Sequence, residues 1–584
     1  MTDCDVLVVG AGHAGAEAAL AAARLGCATA LLTQDPAAAA RMSCNPSIGG
    51  VAKGQMVREL DALGGDMGLC ADMSALHYRA LNGGKGAAVR SPRVQCDRRI
   101  YAESMQSRLR SQERLILIQG EAVDLRVEKG GLFAVSTRDG RRLRCRCAVL
   151  CAGTFLDGRI HMGLKSLPGG RIGEPAAQGL SESLRALGLK VRRFKTGTPP
   201  RLRGGSIDFS KLELQPPDPS PKPLSLRSPA PTLTGLPCWI GCTNEETHAV
   251  IRANLHRGAL YGGSIRAPGP RYCPSVEDKV VKFPQRPRHQ VFLEPESREN
   301  DEIYPGGLST SLPEEAQLEF LRTISGLGAV EIVSPGYSIE YDYCPSTQLR
   351  GTYEARAVEG LFLAGQINGT TGYEEAAAQG LLAGINAAHK VLGREPFILG
   401  REEAYLGVMT DDLVCQDAEE PYRMFTARAE HRLELRSDNA DLRLLEKGFR
   451  LGLVGQALYG RFLRYRETVS SLLVGASPTE PGEMPPWSLE EAREQASIQR
   501  GYEGYIRRDR RAMTETAAMR SCPIPEDFRY EDVPLLSEAR QKLSRLRPRD
   551  LAQASRIPGV TPADARLLSV WLRRMSGPAV RSAA

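Results

Sequence analysis

The chain of 584 residues contains no apolar run that approaches the roughly 20 residues a membrane-spanning helix needs. Its Ala-rich segment 16–25 is interrupted by Glu17 and Arg24. The first residues include Asp3 and Asp5, and they show neither a signal-peptide pattern nor an Arg- and Ser-rich targeting extension. We therefore expect a cytoplasmic protein without a membrane span.

Cysteine spacings typical of disulfide-bonded or metal-binding domains are also lacking. The 14 cysteines are scattered between Cys4 and Cys522. The closest pairs, Cys145 with Cys147 and Cys238 with Cys242, have no second pair or histidine cluster at zinc-finger spacing. This pattern predicts a reducing compartment and no metal site.

Neither charge nor composition is extreme. A net charge of +7 permits an anionic partner without requiring one. The length predicts more than one domain, at roughly 100–200 residues each.

A glycine motif follows the first apolar segment. Residues 5–9 predict a strand, Gly10-Ala11-Gly12-His13-Ala14-Gly15 follows at once, and residues 16–25 predict a helix. In this strand–turn–helix context Gly10 permits the tight turn, Gly12 lets a pyrophosphate approach the backbone, and Gly15 lets the helix pack closely. The helix N-terminus favours the phosphates of a dinucleotide.

Residues 29–33 predict a second strand, completing a βαβ unit. An acid usually ends this strand and binds the adenosine ribose. Here the sequence reads Thr33-Gln34-Asp35-Pro36, so either Gln34 or Asp35 is the candidate for this contact.

Two more apolar strands end in glycine turns, at 148–154 and 361–366. Strands are also predicted near 115–119 and 132–136. A helix over 376–392 follows the third turn, and its N-terminus is a candidate to face a flavin ring. Three such turns predict a flavin dinucleotide fold more specifically than one.

Three loop segments carry reactive or basic residues. Cys44 lies in the turn-rich segment 42–50 before a predicted helix over 52–63, where a helix start and nearby cations favour a thiolate; an inert buried cysteine is the alternative. Segment 82–93, with Lys85, Arg90 and Arg93, is either an anion-binding or a solvated loop. Segment 269–279 is typical of a site loop.

Helix-forming residues dominate after about residue 395. Segments 421–432 and 499–511 are arginine-rich, and tyrosines are interleaved. Such runs suit RNA phosphates and bases, although a solvated helix face is the simpler interpretation of either run alone.

Taken together with several longer motifs, these features show that the chain resembles, almost end to end, the MnmG (GidA) family of tRNA uridine 5-carboxymethylaminomethyl modification enzymes. Besides the first glycine motif, the matching segments are MSCNP at 42–46, GTFLDG at 153–158, KTGTPPR at 195–201, GPRYCPS at 269–275, PGYSIEYD at 335–342, AGQINGTTGYEE at 364–375 and PYRMFT at 421–426.

The resemblance implies an α/β fold: a Rossmann-like, glutathione-reductase-like FAD-binding domain with an inserted α/β domain and an all-helical C-terminal domain. The implied boundaries are 1–200 for the first part of the FAD-binding domain (with a small insertion at about 90–145), 201–335 for the inserted NAD and substrate domain, 336–394 for the second FAD-binding part, and 395–584 for helices that bind tRNA and a GTPase.

The resemblance also implies the reaction. The family modifies C5 of the wobble uridine (position 34), with FAD as cofactor, methylenetetrahydrofolate as one-carbon donor, NADH as reductant and glycine or ammonium as amine. It acts with the GTPase MnmE, as a homodimer bound to a GTPase dimer, in a heterotetrameric arrangement.

The family's site residues carry over by position. FAD contacts fall on Gly10, Ala11, Gly12, His13, Ala14, Gly15, Val123 and Gln366, and on Ala177, where a serine is frequent in the family and its side-chain contact is absent here. The NAD segment falls on Gly269, Pro270, Arg271, Tyr272, Cys273, Pro274, Ser275, Val276, Glu277, Asp278, Lys279, Val280, Val281, Lys282 and Phe283. The motif cysteines Cys44 and Cys273 are the catalytic candidates, and the sequence leaves open which is the nucleophile.

Two other enzymes fit part of the pattern. A folate- and FAD-dependent tRNA uridine C5 methyltransferase shares the glycine motifs but is expected to lack the long helical region after residue 395. A plain NADH:flavin oxidoreductase would turn over NADH without binding tRNA.

Overall fold

The computed structural model describes residues 2–128, 131–229, 235–271, 274–476 and 488–576. The strands in this part of the chain are β1 (Cys4–Val9), β2 (Thr29–Thr33), β3 (Ser47–Gly49), β4 (Ala75–Leu81), β5 (Ser91–Cys96), β6 (Leu115–Gln119), β7 (Ala122–Val127), β8 (Phe133–Thr137), β9 (Arg142–Leu150), β10 (Arg159–Met162), β11 (Lys165–Pro168), β12 (Arg192–Thr198), β13 (Arg201–Arg203), β14 (Glu213–Gln215), β15 (Cys238–Cys242), β16 (Gln290–Pro295), β17 (Glu302–Gly306), β18 (Ile332–Ser334), β19 (Tyr337–Tyr343) and β20 (Leu361–Leu363).

The helices in the same part are α1 (His13–Arg24), α2 (Lys53–Ala62), α3 (Met67–Met73), α4 (Arg98–Ser111), α5 (Leu180–Ala186), α6 (Glu245–Asn254), α7 (Val276–Lys282), α8 (Glu314–Arg322), α9 (Tyr373–Val391), α10 (Tyr405–Cys415), α11 (Ala440–Leu451), α12 (Gln456–Leu473), α13 (Leu489–Gly501), α14 (Glu503–Arg520), α15 (Ser537–Leu546), α16 (Leu551–Arg556) and α17 (Pro562–Ser576).

The central sheet has the order β6-β2-β1-β9-β8-β7, and β20 also pairs with β9. Strands β6, β2, β1, β9 and β20 run parallel. The first half of β9 also pairs antiparallel with β8, and β8 pairs antiparallel with β7. This combination of parallel strands and an antiparallel excursion confirms the predicted glutathione-reductase-like fold, and it brings the ends of β1, β9 and β20 to one edge.

Helices α1 and α9 lie against each other with their backbones in close approach. A Cβ atom added to Gly380 would lie 2.0 Å from the carbonyl oxygen of Ala14, and one added to Gly384 would lie 2.4 Å from that of Ala18. Glycine is therefore required at both positions of α9. The Ala-rich sequence of α1 is explained by this packing rather than by an isolated helix preference.

The inserted α/β part contains a six-stranded antiparallel sheet, β14-β15-β16-β17-β13-β18, with helices α6 to α8. Its own apolar core includes Leu202, Leu293 and Phe320. Two smaller antiparallel sheets, β11-β10-β19-β12 and β3-β5-β4, are the remaining sheets of the described residues.

The described chain beyond α9 forms helices α10 to α17 and connecting segments, in agreement with the predicted helical C-terminal region. A buried carboxylate joins this region to the rest: Glu59 of α2 accepts hydrogen bonds of 3.0 Å from the backbone amides of Tyr405 and Leu406 and pairs with Arg443 at 3.0 Å. An anion at the start of α10 satisfies amides that have no partner within the helix. Among the described helices, none is long and apolar enough to cross a membrane.

Several local boundaries differ from the sequence predictions: α1 begins at His13 rather than at residue 16, and α9 begins at Tyr373 rather than at residue 376. Two larger differences concern β9 and segment 82–93. Strand β9 begins at Arg142 and ends at Leu150, and its first half carries three arginines and is only partly buried, so the apolar pattern predicted its second half alone. Segment 82–93 is only partly a loop, because β5 begins at Ser91 and pairs with β4.

Candidate active site

A cavity of about 990 Å³ lies at the edge where β1, β9 and β20 end. Its wall includes residues of all three glycine turns, among them Gly12, Gly153 and Gln366. It continues to the segment around Cys44 and to the antiparallel sheet of the inserted part, including Tyr304. One connected space therefore joins the predicted dinucleotide site to the predicted reactive cysteine.

The three glycines of the first motif have separate geometric roles. Gly10 has φ +98°, and a Cβ there would lie 2.4 Å from the carbonyl oxygen of Cys151. A Cβ at Gly15 would lie 1.7 Å from the carbonyl oxygen of Gly10. At Gly12 a Cβ would meet nothing within 4 Å, because this residue borders the cavity. Gly10 and Gly15 thus serve the turn and the packing, while Gly12 leaves space for a ligand.

His13 is a buried, neutral residue of the same turn. Its Nδ1 lies 3.3 Å from the hydroxyl of Tyr101, and its ring lies 4.5 Å from that of Tyr373. Burial and the nearby Arg171 cation lower the pKa of His13 to about 3. Nε2 is buried without a hydrogen-bond partner among the described residues.

The end of β2 separates the two ribose candidates. Asp35 accepts a hydrogen bond of 2.9 Å from the Ala37 amide and so caps a short turn. Gln34 also borders the cavity, and its Nε2 is buried with no partner in the described part of the chain. Asp35 borders the cavity as well, so both side chains are placed to meet a ribose, and Gln34 is the one whose donor has no protein partner in the described part of the chain.

The remaining predicted FAD residues are not equivalent. Ala177 and Gln366 border the cavity. Ala177 is held by its backbone, because its amide donates to the carbonyl of Phe155 at 2.8 Å and its carbonyl accepts from the amide of Asp157 at 3.0 Å. At the Val123 position, the cavity wall is formed by its neighbour Ala122.

The structure corrects the helix-start argument for Cys44. Strand β3 lies between Cys44 and α2, so the cysteine is not at the start of that helix. Other groups surround it: Sγ lies 3.2 Å from the hydroxyl of Tyr304 and 3.8 Å from the carbonyl oxygen of Gly197. Its backbone amide donates to the hydroxyl of Tyr373 at 2.6 Å.

Arg201 connects this cysteine segment to the inserted sheet. Its guanidinium donates to the carbonyl of Cys44 at 3.3 Å, pairs with Glu296 at 2.7 Å and lies 4.8 Å from the ring centroid of Tyr304. Sequence reasoning missed Arg201 and Tyr304 as site residues. Only the position of Arg201 within the 195–201 motif gave a signal.

The predicted NAD segment contributes to the cavity only in part. Pro270, Pro274 and Lys279 border it. Val276 and Val280 face the core of the inserted part instead. The predicted site residues Tyr272 and Cys273 lie outside the described residues.

A buried ion cluster lies at the start of α9. Lys53 pairs with Glu374 at 2.9 Å and Glu375 at 3.1 Å. Burial alone would lower the pKa of Lys53, but the two carboxylates raise it. Burial likewise opposes the charge of Glu375, yet Lys53 and the Met424 amide hold its pKa below the ordinary value.

The arginine-rich segments divide into structural and exposed residues. Arg428 lies 4.3 Å from the Tyr422 ring centroid and pairs with Asp412 at 3.4 Å, which makes it part of the fold. Arg423 borders the cavity. Arg507 and Arg508 are exposed on α14.

Of the cations predicted in segment 82–93, two are paired and one is exposed. Arg90 pairs with Glu494 at 2.7 Å and Arg93 pairs with Glu294 at 2.5 Å. Lys85 lies on an exposed turn.

A glutathione-reductase-like fold with three glycine turns around one cavity defines a dinucleotide-binding protein of the flavoprotein type. The chain belongs to the GidA (MnmG) family: the family described as glucose inhibited division protein A matches residues 5–395, and the one described as tRNA modifying enzyme MnmG/GidA C-terminal helical bundle matches residues 512–582.

Full-length relatives agree with this assignment. A Geobacter sulfurreducens protein named tRNA uridine 5-carboxymethylaminomethyl modification enzyme MnmG is 48% identical over 614 residues, covering 98% of each chain. A Geobacillus kaustophilus protein of the same name is 46% identical and covers 98% of this chain and 97% of its own. The crystal structure of Aquifex aeolicus GidA has a TM-score of 0.90 at 43% identity, with 97% of this chain and 98% of that chain covered.

Proposed function

We propose that the protein is an FAD-dependent tRNA modification enzyme that adds an aminomethyl or carboxymethylaminomethyl group to C5 of the wobble uridine. The proposal includes methylenetetrahydrofolate, NADH and glycine or ammonium as co-substrates, a GTPase partner of the MnmE type, a homodimer and a cytoplasmic location. The observation that carries it is the single cavity shared by the dinucleotide glycines and Cys44. The names of the full-length relatives support the choice of tRNA uridine as substrate.

The cavity fits FAD. The open space at Gly12 accommodates a pyrophosphate, and the unpartnered Gln34 amide suits a ribose hydroxyl. We assign FAD binding to Gly10 to Gly15, Val123, Ala177 and Gln366; Gly15 and Val123 support the site from behind the cavity wall, which the others border. We assign NADH binding to segment 269–283, of which Pro270, Pro274 and Lys279 border the cavity. FAD, when bound, supplies the redox chemistry, while the protein binds and orients the reactants.

The cysteines are assigned to the uracil ring. C5 of uracil is a poor nucleophile, but a thiolate that adds to C6 places an electron pair at C5, which then attacks a methylene electrophile. Loss of the C5 proton and departure of the thiolate restore the ring. A proton-transfer role for Cys44 or Cys273 is the alternative that uses the same positions.

We expect Cys44→Ser and Cys273→Ser to lower tRNA modification by about 100-fold or more, because each removes a candidate nucleophile or proton-transfer group. The measurement is mass analysis of tRNA nucleosides after incubation with the GTPase, the folate donor and NADH. Cys242→Ser is the matched control, since Cys242 is also partly exposed but lies in β15 and does not itself border the cavity. Full activity of both test variants would remove the cysteines from the mechanism.

For the tRNA, we expect a double charge reversal, Arg507→Glu with Arg508→Glu, to weaken binding and to make its salt dependence shallower. Removal of one phosphate-binding cation reduces the slope of log K against log salt by about 0.7–0.9. Filter binding across a salt series measures the slope. Arg126→Glu is the control, because Arg126 is also exposed but lies on β7. Equal slopes in the wild type, the control and the double variant would show that Arg507 and Arg508 of α14 do not bind tRNA phosphates.

The same helices are the alternative docking surface for the GTPase. Truncation near residue 500 is unsuitable as a test, because Arg556 pairs with Asp411 at 2.9 Å and Arg520 pairs with Glu402 across that boundary. Pull-down with the full-length Arg507/Arg508 double variant is cleaner. Lost GTPase capture with retained tRNA binding assigns α14 to the GTPase.

A further inference from the structure

Tyr304 reaches Cys44 from a distant part of the chain. It lies on β17 of the six-stranded sheet, whereas Cys44 lies 260 residues earlier, in the segment before β3. Tyr304 is almost fully buried, and it borders the same cavity as the cysteine. The separation of 3.2 Å between Oη and Sγ is hydrogen-bonding distance for a sulfur atom.

We propose that Tyr304 is a positioning residue that activates Cys44 by donating its hydroxyl hydrogen to the cysteine thiolate. The inference rests on the proposed function in one respect, because that function is what assigns the Cys44 thiolate a part in a reaction. The residue comes from the inserted part, and the proposed reaction alone would not point to it.

Arg201, Tyr337 and Tyr373 also interact electrostatically with Cys44. The two groups within hydrogen-bonding distance of Sγ favour different protonation states of the cysteine. A thiol can donate its hydrogen to the carbonyl oxygen of Gly197, 3.8 Å away, and accept one from Tyr304. A thiolate has no hydrogen to donate to Gly197, while its hydrogen bond from Tyr304 becomes charge-assisted and stronger. Tyr304 therefore shifts the balance towards the thiolate.

Arg201 fixes the geometry of the pair. Its Nη2 donates to the backbone carbonyls of Ser43 at 3.2 Å and Cys44 at 3.3 Å. The same guanidinium lies against the Tyr304 ring and is itself held by Glu296. Arg201 is the first residue of β13 in the inserted sheet. The position of this sheet relative to the dinucleotide-binding part therefore sets the position of Arg201, and through it the surroundings of Cys44.

The test is the pH dependence of iodoacetamide alkylation at Cys44 in the full-length, flavin-loaded protein, read by peptide mass spectrometry. For Tyr304→Phe we expect the midpoint of the profile to rise by about one pH unit, and the rate at neutral pH to fall about tenfold, since a hydrogen bond to a charged group is removed. An unchanged Cys44 profile would overturn the proposal.

Two further measurements distinguish loss of the Tyr304 hydrogen bond from a general disturbance of the sheet. Cys242 lies on β15 of the same sheet as Tyr304, so an unchanged Cys242 rate shows that the sheet is intact. If Tyr304→Phe disturbs the sheet, incorporation of a monofluorinated tyrosine at position 304 decides the matter. Its hydroxyl is a stronger donor, so the Cys44 midpoint must move to lower pH; no movement or a rise overturns the proposal.

The experiment needs no tRNA, which separates it from the proposed function. If the wild-type protein modifies tRNA but the Tyr304→Phe variant shows an unshifted Cys44 profile, only the proposed role of Tyr304 is refuted. If the Tyr304→Phe variant shows the expected shift in the Cys44 profile but the wild-type protein leaves tRNA unmodified, only the proposed function is refuted.

Discussion

Gly12→Ala is expected to give a folded protein that has lost most of its affinity for FAD. A Cβ at this position meets nothing within 4 Å in the protein, so the fold has no reason to change. The added methyl group instead occupies the space through which a pyrophosphate would approach the backbone at the start of α1. We expect the dissociation constant for FAD to rise by at least about tenfold, measured by flavin fluorescence on reconstitution.

The control is Gly460→Ala in α12, which also has open space at its Cβ and does not border the cavity. Both variants should unfold at nearly the wild-type temperature, with Gly460→Ala slightly stabilised because alanine favours the helix. Gly15→Ala provides the contrast: its Cβ would overlap the carbonyl oxygen of Gly10, so both fold and flavin binding should suffer. Wild-type FAD affinity in Gly12→Ala would place the pyrophosphate elsewhere.

Lys53→Met is expected to lower the free energy of unfolding by about 3–5 kcal/mol, because it removes the cation that pairs directly with two buried carboxylates. Glu375 has no exposed side-chain surface and Glu374 has 3%. Urea denaturation at neutral pH measures the loss. Lys222→Met is the matched control, since Lys222 is exposed and its pair with Glu494 should contribute no more than about 1 kcal/mol.

The decrease in free energy of unfolding caused by Lys53→Met should depend on pH. In the wild-type protein, the lowered pKa of Glu375 gives stability that is present above its ordinary pKa and disappears as pH falls through the folded value. The raised pKa of Lys53 gives stability that is lost only as alkaline pH passes its folded value. Without Lys53, burial favours the protonated form of Glu375. The difference in free energy of unfolding between wild type and variant should therefore narrow as pH falls from neutral. A gap that is constant over this range would mean that the cluster is not ionised.

The dinucleotide part of the fold was predictable because its signals are local. Each of the strand–glycine turns occupies a short segment, and β2 and β6 match their predicted bounds to the residue. The first half of β9 was missed because one face of that strand is polar. The different surroundings of Gln34 and Asp35 were not predictable from the sequence, since which side chain already has a partner depends on tertiary structure.

The surroundings of Cys44 were not predictable from local sequence. Tyr304 and Tyr373 come from elements far along the chain, and no spacing rule relates a residue of β17 or α9 to segment 42–50. The local argument from a helix start was wrong because the three-residue strand β3 intervenes. The cysteine itself was found, but the groups that control it are a consequence of tertiary packing.

The central claim is tested most directly by isotope tracing in the reconstituted reaction. Purified protein, its GTPase partner with GTP, NADH, glycine and methylenetetrahydrofolate labelled in the methylene carbon are incubated with unmodified tRNA, and the nucleosides are analysed by mass spectrometry. We predict label in a carboxymethylaminomethyl group at the wobble uridine, and no label there when the folate, NADH or the protein is omitted. Oxidation of NADH with no labelled uridine, or a labelled simple methyl group, would contradict the proposed function.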